Sequence, residues 1–190
     1  MDTEYNEIIK VILLGNVNVG KTSLCHALRK KEFSYNHNST IGVDFHVVYH
    51  TKNNIKYKIQ IWDTAGQEKF RSLVSCYFKK ADIIIIMFDV SDKDAYSSLL
   101  YWKEFAHTYG NAFSQIILIG NKNDLVNNTN NINIVNYADS NHLPLHMISV
   151  KNDKNYNDLF DLLVDNMPKN MLTISKPLEI TKHKGCCIVQ

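Results

Sequence analysis

Short apolar runs alternate along the chain with segments of helical length. The apolar runs predict six β-strands, over residues 8–14, 43–50, 55–62, 83–90, 116–120 and 145–149. Apolar side chains at helical spacing predict helices over residues 21–31, 70–79, 94–109, 133–141 and 156–167. Strands that alternate with helices are typical of an α/β fold built on a central sheet.

The predicted strands differ in how often polar residues interrupt them. Residues 83–90 and 116–120 are apolar almost without a break, as in strands that are covered on both faces of a parallel sheet. Only the polar residues 51–54 separate the second and third strands, which favours an antiparallel hairpin. We therefore expect a six-stranded, mostly parallel sheet with one antiparallel edge strand and helices on both faces.

Length and composition allow one domain with a short tail. The chain has 190 residues, of which 45% are hydrophobic and 21% charged, so a packed core can form. We expect the domain to span residues 1–170, because helical periodicity fades from Met171 and Pro177 interrupts any further helix. Residues 171–190 are expected to form a flexible tail. A net charge of +2 is too small to indicate a nucleic-acid partner.

The cysteines indicate a reducing compartment. Cys25, Cys76, Cys186 and Cys187 show neither the density of a disulfide framework nor the spacing of a zinc site, and the eight histidines show no ligand spacing either. Cys25 and Cys76 are expected to pack in the core. The N-terminal residues carry no pattern for secretion or myristoylation. The longest apolar run, residues 83–88, is far shorter than the roughly 18 residues of a membrane span.

The first predicted strand leads directly into a glycine-rich loop, and a helix follows. Residues 15–22 read GNVNVGKT and match the phosphate-loop pattern G-x-x-x-x-G-K-[ST] in this strand, loop and helix context. Such a loop points backbone N–H groups at phosphates, Lys21 adds a positive charge, and the Thr22 hydroxyl suits Mg²⁺. The residues predicted to surround the phosphates are Gly15, Asn18, Val19, Gly20, Lys21, Thr22 and Ser23.

A second motif follows the fifth predicted strand and favours guanine. Asn121, Lys122 and Asp124 belong to an N-K-x-D sequence, which we expect at the same sheet edge as the phosphate loop. The Asp124 carboxylate can accept hydrogen bonds from N1–H and the 2-amino group of guanine, whereas adenine has an acceptor at N1 and no amino group at C2. An ATP-using phosphate-loop protein, such as a small kinase, is the alternative.

Several ordered segments together carry a resemblance to a known family. They are the phosphate loop and residues 40–45 (TIGVDF), 58–62 (KIQIW), 63–68 (DTAGQE), 69–73 (KFRSL), 77–81 (YFKKA), 121–124 (NKND) and 149–151 (SVK). Over nearly its whole length the chain resembles the Ras-like small GTPases, and the Rab branch in particular. The resemblance implies a small G domain of the P-loop NTPase class that binds GTP or GDP with Mg²⁺. It also implies a GTPase that hydrolyses GTP slowly unless an activating protein assists.

The resemblance assigns roles to individual residues. It implies a Mg²⁺ site at Thr22, Thr40 and Asp63, and a catalytic residue, Gln67, that orients the attacking water. Other residues implied to bind the nucleotide are Phe33, Thr40, Gly66, Asn121, Lys122, Asp124, Ser149, Val150 and Lys151. Because loss of the γ-phosphate would release its contacts with Thr40 and Gly66, two loops would relax together.

Three positions depart from the usual pattern of the family. Val17 stands in the phosphate loop where a small residue is usual, His37 where tyrosine is usual, and Val150 where alanine is usual. A branched side chain at Val17 could displace the attacking water, so a non-hydrolysing, GTP-bound interaction module is kept as an alternative to a hydrolysing switch. The contact that the family pattern implies between Val150 and guanine O6 is made by the backbone, so guanine selectivity is expected to survive.

The end of the chain resembles a lipidation signal. Residues 185–190 read GCCIVQ, which places a C-a-a-X box at Cys187 with Cys186 beside it and predicts prenylation. Two lipids would hold a membrane better than one. The family implies an exchange factor, a GTPase-activating protein, effectors and a prenyl-binding escort. We expect the protein on the cytoplasmic face of an intracellular membrane, in vesicle trafficking, with an escort-bound cytosolic pool.

Overall fold

The computed structural model of the chain describes residues 4–29, 40, 42–64, 78, 80–125, 132–152 and 156–168. The strands in these ranges are β1 (Glu7–Leu14), β2 (Val43–Lys52), β3 (Ile55–Thr64), β4 (Ile83–Asp89), β5 (Gln115–Asn121) and β6 (Leu145–Met147). All six predicted strands are confirmed, although their ends move by one or two residues.

The six strands form one sheet in the order β2-β3-β1-β4-β5-β6. Strand β2 is antiparallel to β3 at one edge, and all the other neighbours pair in parallel. Strands β2 and β3 lie on one side of β1, and β4 to β6 lie on the other. Ligands of such sheets bind beyond the carboxyl ends of the strands where the order reverses. This topology places the loop that follows β1 at the expected crevice.

A tight turn closes the β2–β3 hairpin. Lys52 pairs with Ile55, so only Asn53 and Asn54 form the loop. Both asparagines have positive φ, 52° and 62°, as a two-residue type I′ turn requires, and asparagine tolerates this conformation better than most residues. The predicted turn over residues 51–54 was therefore correctly placed but too long.

Four helices cover the sheet in the described ranges: α1 (Lys21–Leu28), α2 (Ala95–Tyr109), α3 (Ile132–Ser140) and α4 (Asn157–Asp165). They confirm four of the predicted helices. The helix predicted over residues 70–79 lies almost entirely outside the described residues, as does the predicted end of α1 at residues 30–31. None of the helices in the described part of the chain is long and apolar enough to span a membrane.

Apolar cores lie on both faces of the sheet, and β4 contributes to both. Ile83, Ile85 and Met87 pack with α1 and α4 on one face, whereas Ile84 and Ile86 pack with α2 and α3 on the other. None of residues 83–88 is more than 2% exposed. The uninterrupted apolar run follows from this double coverage, because neither face of β4 meets water.

Candidate functional site

The phosphate loop, residues 15–22, leaves the carboxyl end of β1 and enters α1. Its backbone has φ of +142° at Gly15 and +103° at Gly20. A Cβ atom on Gly15 would collide with the Met87 carbonyl oxygen, and one on Gly20 would collide with the Asn121 side-chain amide. Because only glycine fits at these two positions, the loop can approach β4 and β5 closely. A turn of this kind directs backbone N–H groups toward an anion.

Lys21 supplies a buried positive charge beneath the loop, and it is 6% exposed. Its ammonium group donates hydrogen bonds to the carbonyl oxygens of Gly15 and Asn16, both at 2.8 Å. Burial lowers the pKa of Lys21 to about 8, although the negative charge of Asp63 opposes this shift. An ammonium group has three donors, so these two bonds leave one for an anionic oxygen.

Three side-chain oxygens from separate segments meet beside the loop. The Thr22 hydroxyl donates to Asp63 Oδ2 at 2.5 Å and lies 2.7 Å from the Thr40 hydroxyl. Thr40 Oγ1 lies 3.5 Å from the same Asp63 oxygen. Asp63 is fully buried on β3, and burial raises its pKa against the opposing hydrogen bond from Thr22.

This cluster of oxygens suits Mg²⁺. Hydroxyl and carboxylate oxygens are ligands that this hard cation prefers. The Asp63 oxygen that faces both hydroxyls is Oδ2, and this residue is fully buried. A buried carboxylate is unfavourable unless hydrogen bonds or a cation balance its charge. The residues present therefore fit the metal that the family resemblance implied.

Side chains organise the opposite end of the site. Asn121 donates from Nδ2 to the Val19 carbonyl oxygen at 2.8 Å and accepts at Oδ1 from the Val150 N–H at 3.0 Å. This amide is only 3% exposed and ties the phosphate loop to the segment after β6. The Ser149 hydroxyl donates to Asp124 Oδ1 at 2.5 Å, which fixes the orientation of the carboxylate predicted to face guanine.

Strand β6 ends at Met147, two residues earlier than predicted. Ser149 and Val150 instead turn toward Asp124 and Asn121, so they serve the site rather than the sheet. The Val150 N–H, which the family resemblance assigned to guanine O6, donates to Asn121 Oδ1 here. A contact with the base would have to share this N–H with Asn121.

Lys122 pairs with an acid that the sequence analysis missed. Its Nζ lies 2.6 Å from Asp89 Oδ2. Burial acts to raise the pKa of Asp89, but the hydrogen bonds from Lys122 and Ser91 outweigh it, so the pKa is lowered. Asp89 is the last residue of β4 and lies opposite Asn121 in the sheet. Its place at the carboxyl end of a strand next to the N-K-x-D motif is the signal that could have found it.

Asn16 is a second residue that the sequence analysis missed. Its Oδ1 accepts from the indole N–H of Trp102 at 2.8 Å, and its Nδ2 donates to the Ser98 hydroxyl at 2.8 Å. These two bonds anchor the phosphate loop to α2. Asn16 stands at a variable position of the motif, and its partners lie more than 80 residues away, so no local signal marks it.

The predicted site residues that are described lie on four neighbouring segments and at Thr40. The segments are the phosphate loop with the start of α1, the end of β3, and the stretches that follow β5 and β6. The members are Gly15, Asn18, Val19, Gly20, Lys21, Thr22, Ser23, Thr40, Asp63, Asn121, Lys122, Asp124, Ser149, Val150 and Lys151. The predicted residues outside the described ranges are Phe33, His37, Gly66, Gln67, Cys186 and Cys187.

Comparison with known proteins covers most of the chain. Residues 10–169 match the model of the Ras family. "Ras-related protein Rab-1A" of Dictyostelium discoideum is 32% identical over 203 aligned positions, which cover 98% of this chain and 100% of the relative. "GTP-binding protein ypt1" of Schizosaccharomyces pombe is 34% identical over 166 positions, which cover 84% of this chain and 80% of the relative. "Ras-related protein Rab-19" of Xenopus laevis is 40% identical over 124 positions, covering 65% and 58%.

Proposed function

Because the chain belongs to the Ras family and is a Rab-like small GTPase, we propose that it cycles between GTP- and GDP-bound states and recruits effectors in intracellular vesicle trafficking. The observation that carries this proposal is the meeting of Thr22, Thr40 and Asp63 beside the phosphate loop. Thr40 belongs to neither the loop nor β3. In the proposed switch, Mg²⁺ and the γ-phosphate would hold Thr40 at this position, and loss of the phosphate would release it.

The Mg²⁺ that the family implies would be held by the hydroxyls of Thr22 and Thr40, with Asp63 as the buried counter-charge. Mg²⁺ would supply positive charge there and would neutralise part of the charge of the phosphates. Lys21 would hold the same phosphates with its remaining donor. A triphosphate would give Thr40 a partner that a diphosphate lacks, which would separate the two states of the first switch loop.

The base in this proposal is guanine. Asp124, oriented by Ser149, would accept hydrogen bonds from N1–H and the 2-amino group, while Lys122 would cover one face of the ring. Phe33 would cover the other face. Adenine would place an acceptor against the carboxylate, and the unpaired carboxylate would disfavour its binding.

The hydrolytic step is proposed to use Gln67, which would orient water for attack on the γ-phosphorus as its bond to GDP breaks. Phosphoryl transfer depends mainly on positioning and on charge stabilisation. The residues proposed for this step include no arginine that would stabilise the transferring group. Slow turnover is therefore expected until an activating protein supplies the missing charge.

The membrane part of the proposal rests on the last residues of the sequence. Residues 1–170 would form the G domain and residues 171–190 a tail prenylated at Cys186 and Cys187. The lipids would hold the protein on the cytoplasmic face of an intracellular membrane, and an escort would keep a cytosolic pool. A Cys186→Ser, Cys187→Ser double variant is expected to move into the cytosolic fraction, and unchanged membrane partition would refute this part.

Nucleotide displacement tests the central proposal. Excess GDP should displace bound fluorescent GDP from the full chain, whereas excess ATP should not. Asp124→Asn replaces an acceptor by a donor, so it should weaken GDP and favour xanthosine diphosphate, which carries a carbonyl in place of the 2-amino group. Displacement by ATP would favour the ATP-using alternative, and unchanged GDP affinity in Asp124→Asn would remove Asp124 from the base site.

A second candidate, a non-hydrolysing GTP-bound module, has one observation in its favour. Val17 is 40% exposed in the phosphate loop, so its branched side chain faces outward from the core. If Val17 obstructs the attacking water, single-turnover hydrolysis should rise at least about tenfold in Val17→Ser, within the range that positioning of a reacting group supplies. Equal rates in the two proteins would favour the hydrolysing switch.

A further inference from the structure

A second group of buried side chains with metal-binding chemistry lies beneath α1. Cys25 from α1, His46 from β2 and Asp63 from β3 each offer one ligand atom, and these atoms lie within 4.8 Å of one another. Cys25 and Asp63 are fully buried, and His46 is 4% exposed. Cys25 is a free thiol. Three different donors from three elements therefore surround one point in the core.

Two of these side chains carry polar atoms that the described structure leaves unsatisfied. His46 Nε2 and Asp63 Oδ1 are buried without a hydrogen-bond partner among the described residues. Asp44 Oδ2 is 3.4 Å from His46 Nε2, and Arg29 Nη1 is 3.4 Å from Nδ1, and both distances are long for a hydrogen bond. Unsatisfied buried donors and acceptors are rare, and binding of an ion is one of the ordinary ways in which they are satisfied.

We propose that Cys25, His46 and Asp63 form a binding site for Zn²⁺. Thiolate, imidazole and carboxylate are its usual ligands, and three protein ligands leave a fourth tetrahedral position for water. One thiolate and one carboxylate balance the charge of the ion. Mg²⁺ prefers oxygen ligands only, so this site differs in chemistry from the one at Thr22 and Thr40.

The same residue types also occur in enzymes with a cysteine nucleophile, and burial distinguishes the two interpretations. A nucleophile must reach its substrate, whereas Cys25 is 0% exposed and packs in the core between α1 and the sheet. A metal ion needs only a transient path, and an enclosed site suits it. Sequence analysis predicted no metal besides Mg²⁺, because these ligands follow no short motif and only the fold brings them together.

The zinc site would share Asp63 with the Mg²⁺ site, and this consequence rests on the proposed function. Thr22 engages Asp63 Oδ2, while Oδ1 is the unpaired oxygen. Through its two oxygens, one carboxylate can face two cations. Occupation of either site then changes the charge that the other cation meets. By linkage, Zn²⁺ should change the affinity for GDP–Mg²⁺ by the same factor as GDP–Mg²⁺ changes the affinity for Zn²⁺.

The test uses the full chain with Cys76, Cys186 and Cys187 replaced by serine, so that Cys25 is the only thiol. Co²⁺ is the probe, because Co²⁺ bound to thiolate absorbs in the near ultraviolet and its visible bands report tetrahedral geometry. We expect one Co²⁺ per chain with both signatures, and its displacement by Zn²⁺. A background protein that folds and binds fluorescent GDP but shows no thiolate band would overturn the proposal.

Two further variants in that background locate the site. Cys25→Ala should abolish the thiolate band. His46→Gln should lower Co²⁺ affinity by more than the roughly 10–100-fold that loss of an outer-shell partner costs. His50→Gln is the matched control, because His50 lies on the same strand but pairs with Asp161, and it should leave Co²⁺ affinity unchanged. Unchanged affinity in a folded His46→Gln protein would overturn the proposal.

GDP binding separates the two proposals. If the background protein binds fluorescent GDP without binding Co²⁺, only the zinc site is refuted. If it binds Co²⁺ with the thiolate band but does not bind GDP, the zinc site stands and the nucleotide switch is refuted. Because the background protein alone gives these outcomes, the test does not depend on the folding of the Cys25 and His46 variants.

Discussion

The two ends of the proposed nucleotide site are built in different ways. At the phosphate end, backbone conformation sets the shape, because Gly15 and Gly20 leave no room for a Cβ atom. At the base end, side-chain hydrogen bonds set it, from Asn121 to the phosphate loop and from Ser149 to Asp124. The first end is therefore sensitive to any added side chain, and the second to the loss of particular polar groups.

This difference bears on Val17 and Val150, two of the three positions at which the sequence departs from the usual pattern of the family. Val17 is partly exposed, so a larger side chain there does not disturb the backbone turn. Val150 contributes its backbone N–H to the site, and its side chain packs in the core. By contrast, Gly20 and Asn121 touch each other and match the motifs. Variation is tolerated where the position contributes neither a required backbone conformation nor a required side-chain partner.

Gly20→Ala is expected to have the largest effect, because it disturbs both ends at once. The alanine would need φ of +103°, and its Cβ would displace the Asn121 amide. Backbone strain of this kind costs about 1–3 kcal/mol, and the displaced amide would leave further groups unpaired. We expect GDP affinity to fall by at least about 100-fold, measured by fluorescent GDP titration.

Gly42→Ala is the matched control for strain alone. Gly42 also has positive φ, +81°, but an added Cβ meets nothing within 4 Å. We expect a loss of about 1 kcal/mol in stability by thermal unfolding and at most about a tenfold loss in GDP affinity. Equal losses of GDP affinity in the two variants would show that the collision with Asn121 is unimportant.

Asn121→Ala is expected to cause the next largest loss of GDP affinity, since Asn121 joins the two ends of the proposed site. It would leave the Val19 carbonyl and the Val150 N–H unpaired in the core, at about 1–3 kcal/mol each. Ser149→Ala removes the hydrogen bond to Asp124 and a longer one, 3.2 Å, that the Ser149 hydroxyl accepts from the exposed Asn152 N–H. We expect a loss of about 1.5 kcal/mol, or about tenfold in GDP affinity. Equal losses of GDP affinity in these two variants would contradict the joining role of Asn121.

Ser98→Ala tests the anchor between the phosphate loop and α2. It removes the acceptor of Asn16 Nδ2, at a cost of about 1 kcal/mol, so GDP should dissociate about fivefold faster. Stopped-flow release of fluorescent GDP measures this rate. Ser97→Ala, in which the lost hydroxyl donates to the carbonyl oxygen of Asp94 just before α2, is the control and should leave the rate unchanged.

Asp89→Asn is expected to have the smallest effect, a loss of folding stability that depends on pH. Burial opposes ionisation of Asp89, but hydrogen bonds from Lys122 and Ser91 prevail and lower its pKa. Such an acid stabilises the fold above its unfolded pKa of about 3.9 and loses this contribution as pH falls through the lower folded value. Urea unfolding should show a loss of up to about 1 kcal/mol at pH 7 that shrinks below about pH 4. A loss that grows in acid would contradict this account.

Patterns that are local in sequence predicted nearly all of the described fold. The continuous apolar run of residues 83–88 predicted a strand covered on both faces, and the structure confirms it. The length of the β2–β3 turn was not predictable in this way, because the pairing of Lys52 with Ile55 sets it across two strands. The early end of β6 has a similar cause, since Ser149 leaves the strand to bind Asp124.

Motifs predicted the site where they fix the spacing of residues, as for Lys21 and Thr22. They did not reveal Asn16 or Asp89. They also did not reveal His46, which lies near Cys25 in the proposed zinc site. These residues act through contacts between distant segments, and only the folded sheet creates such contacts. Asn16 and Asp89 hold the phosphate loop and Lys122 in place, whereas the motif residues line the proposed site.

The β2–β3 hairpin connects two distant regions of the molecule. At its open end Asp63 lies beside the hydroxyls of Thr22 and Thr40, and at its closed end His50 lies 2.9 Å from Asp161 on α4. Up to the two-residue turn the strands are paired along their whole length, which is about 30 Å. The hairpin therefore links the phosphate-loop edge of the sheet to α4, the last described helix, through paired strands and side-chain hydrogen bonds.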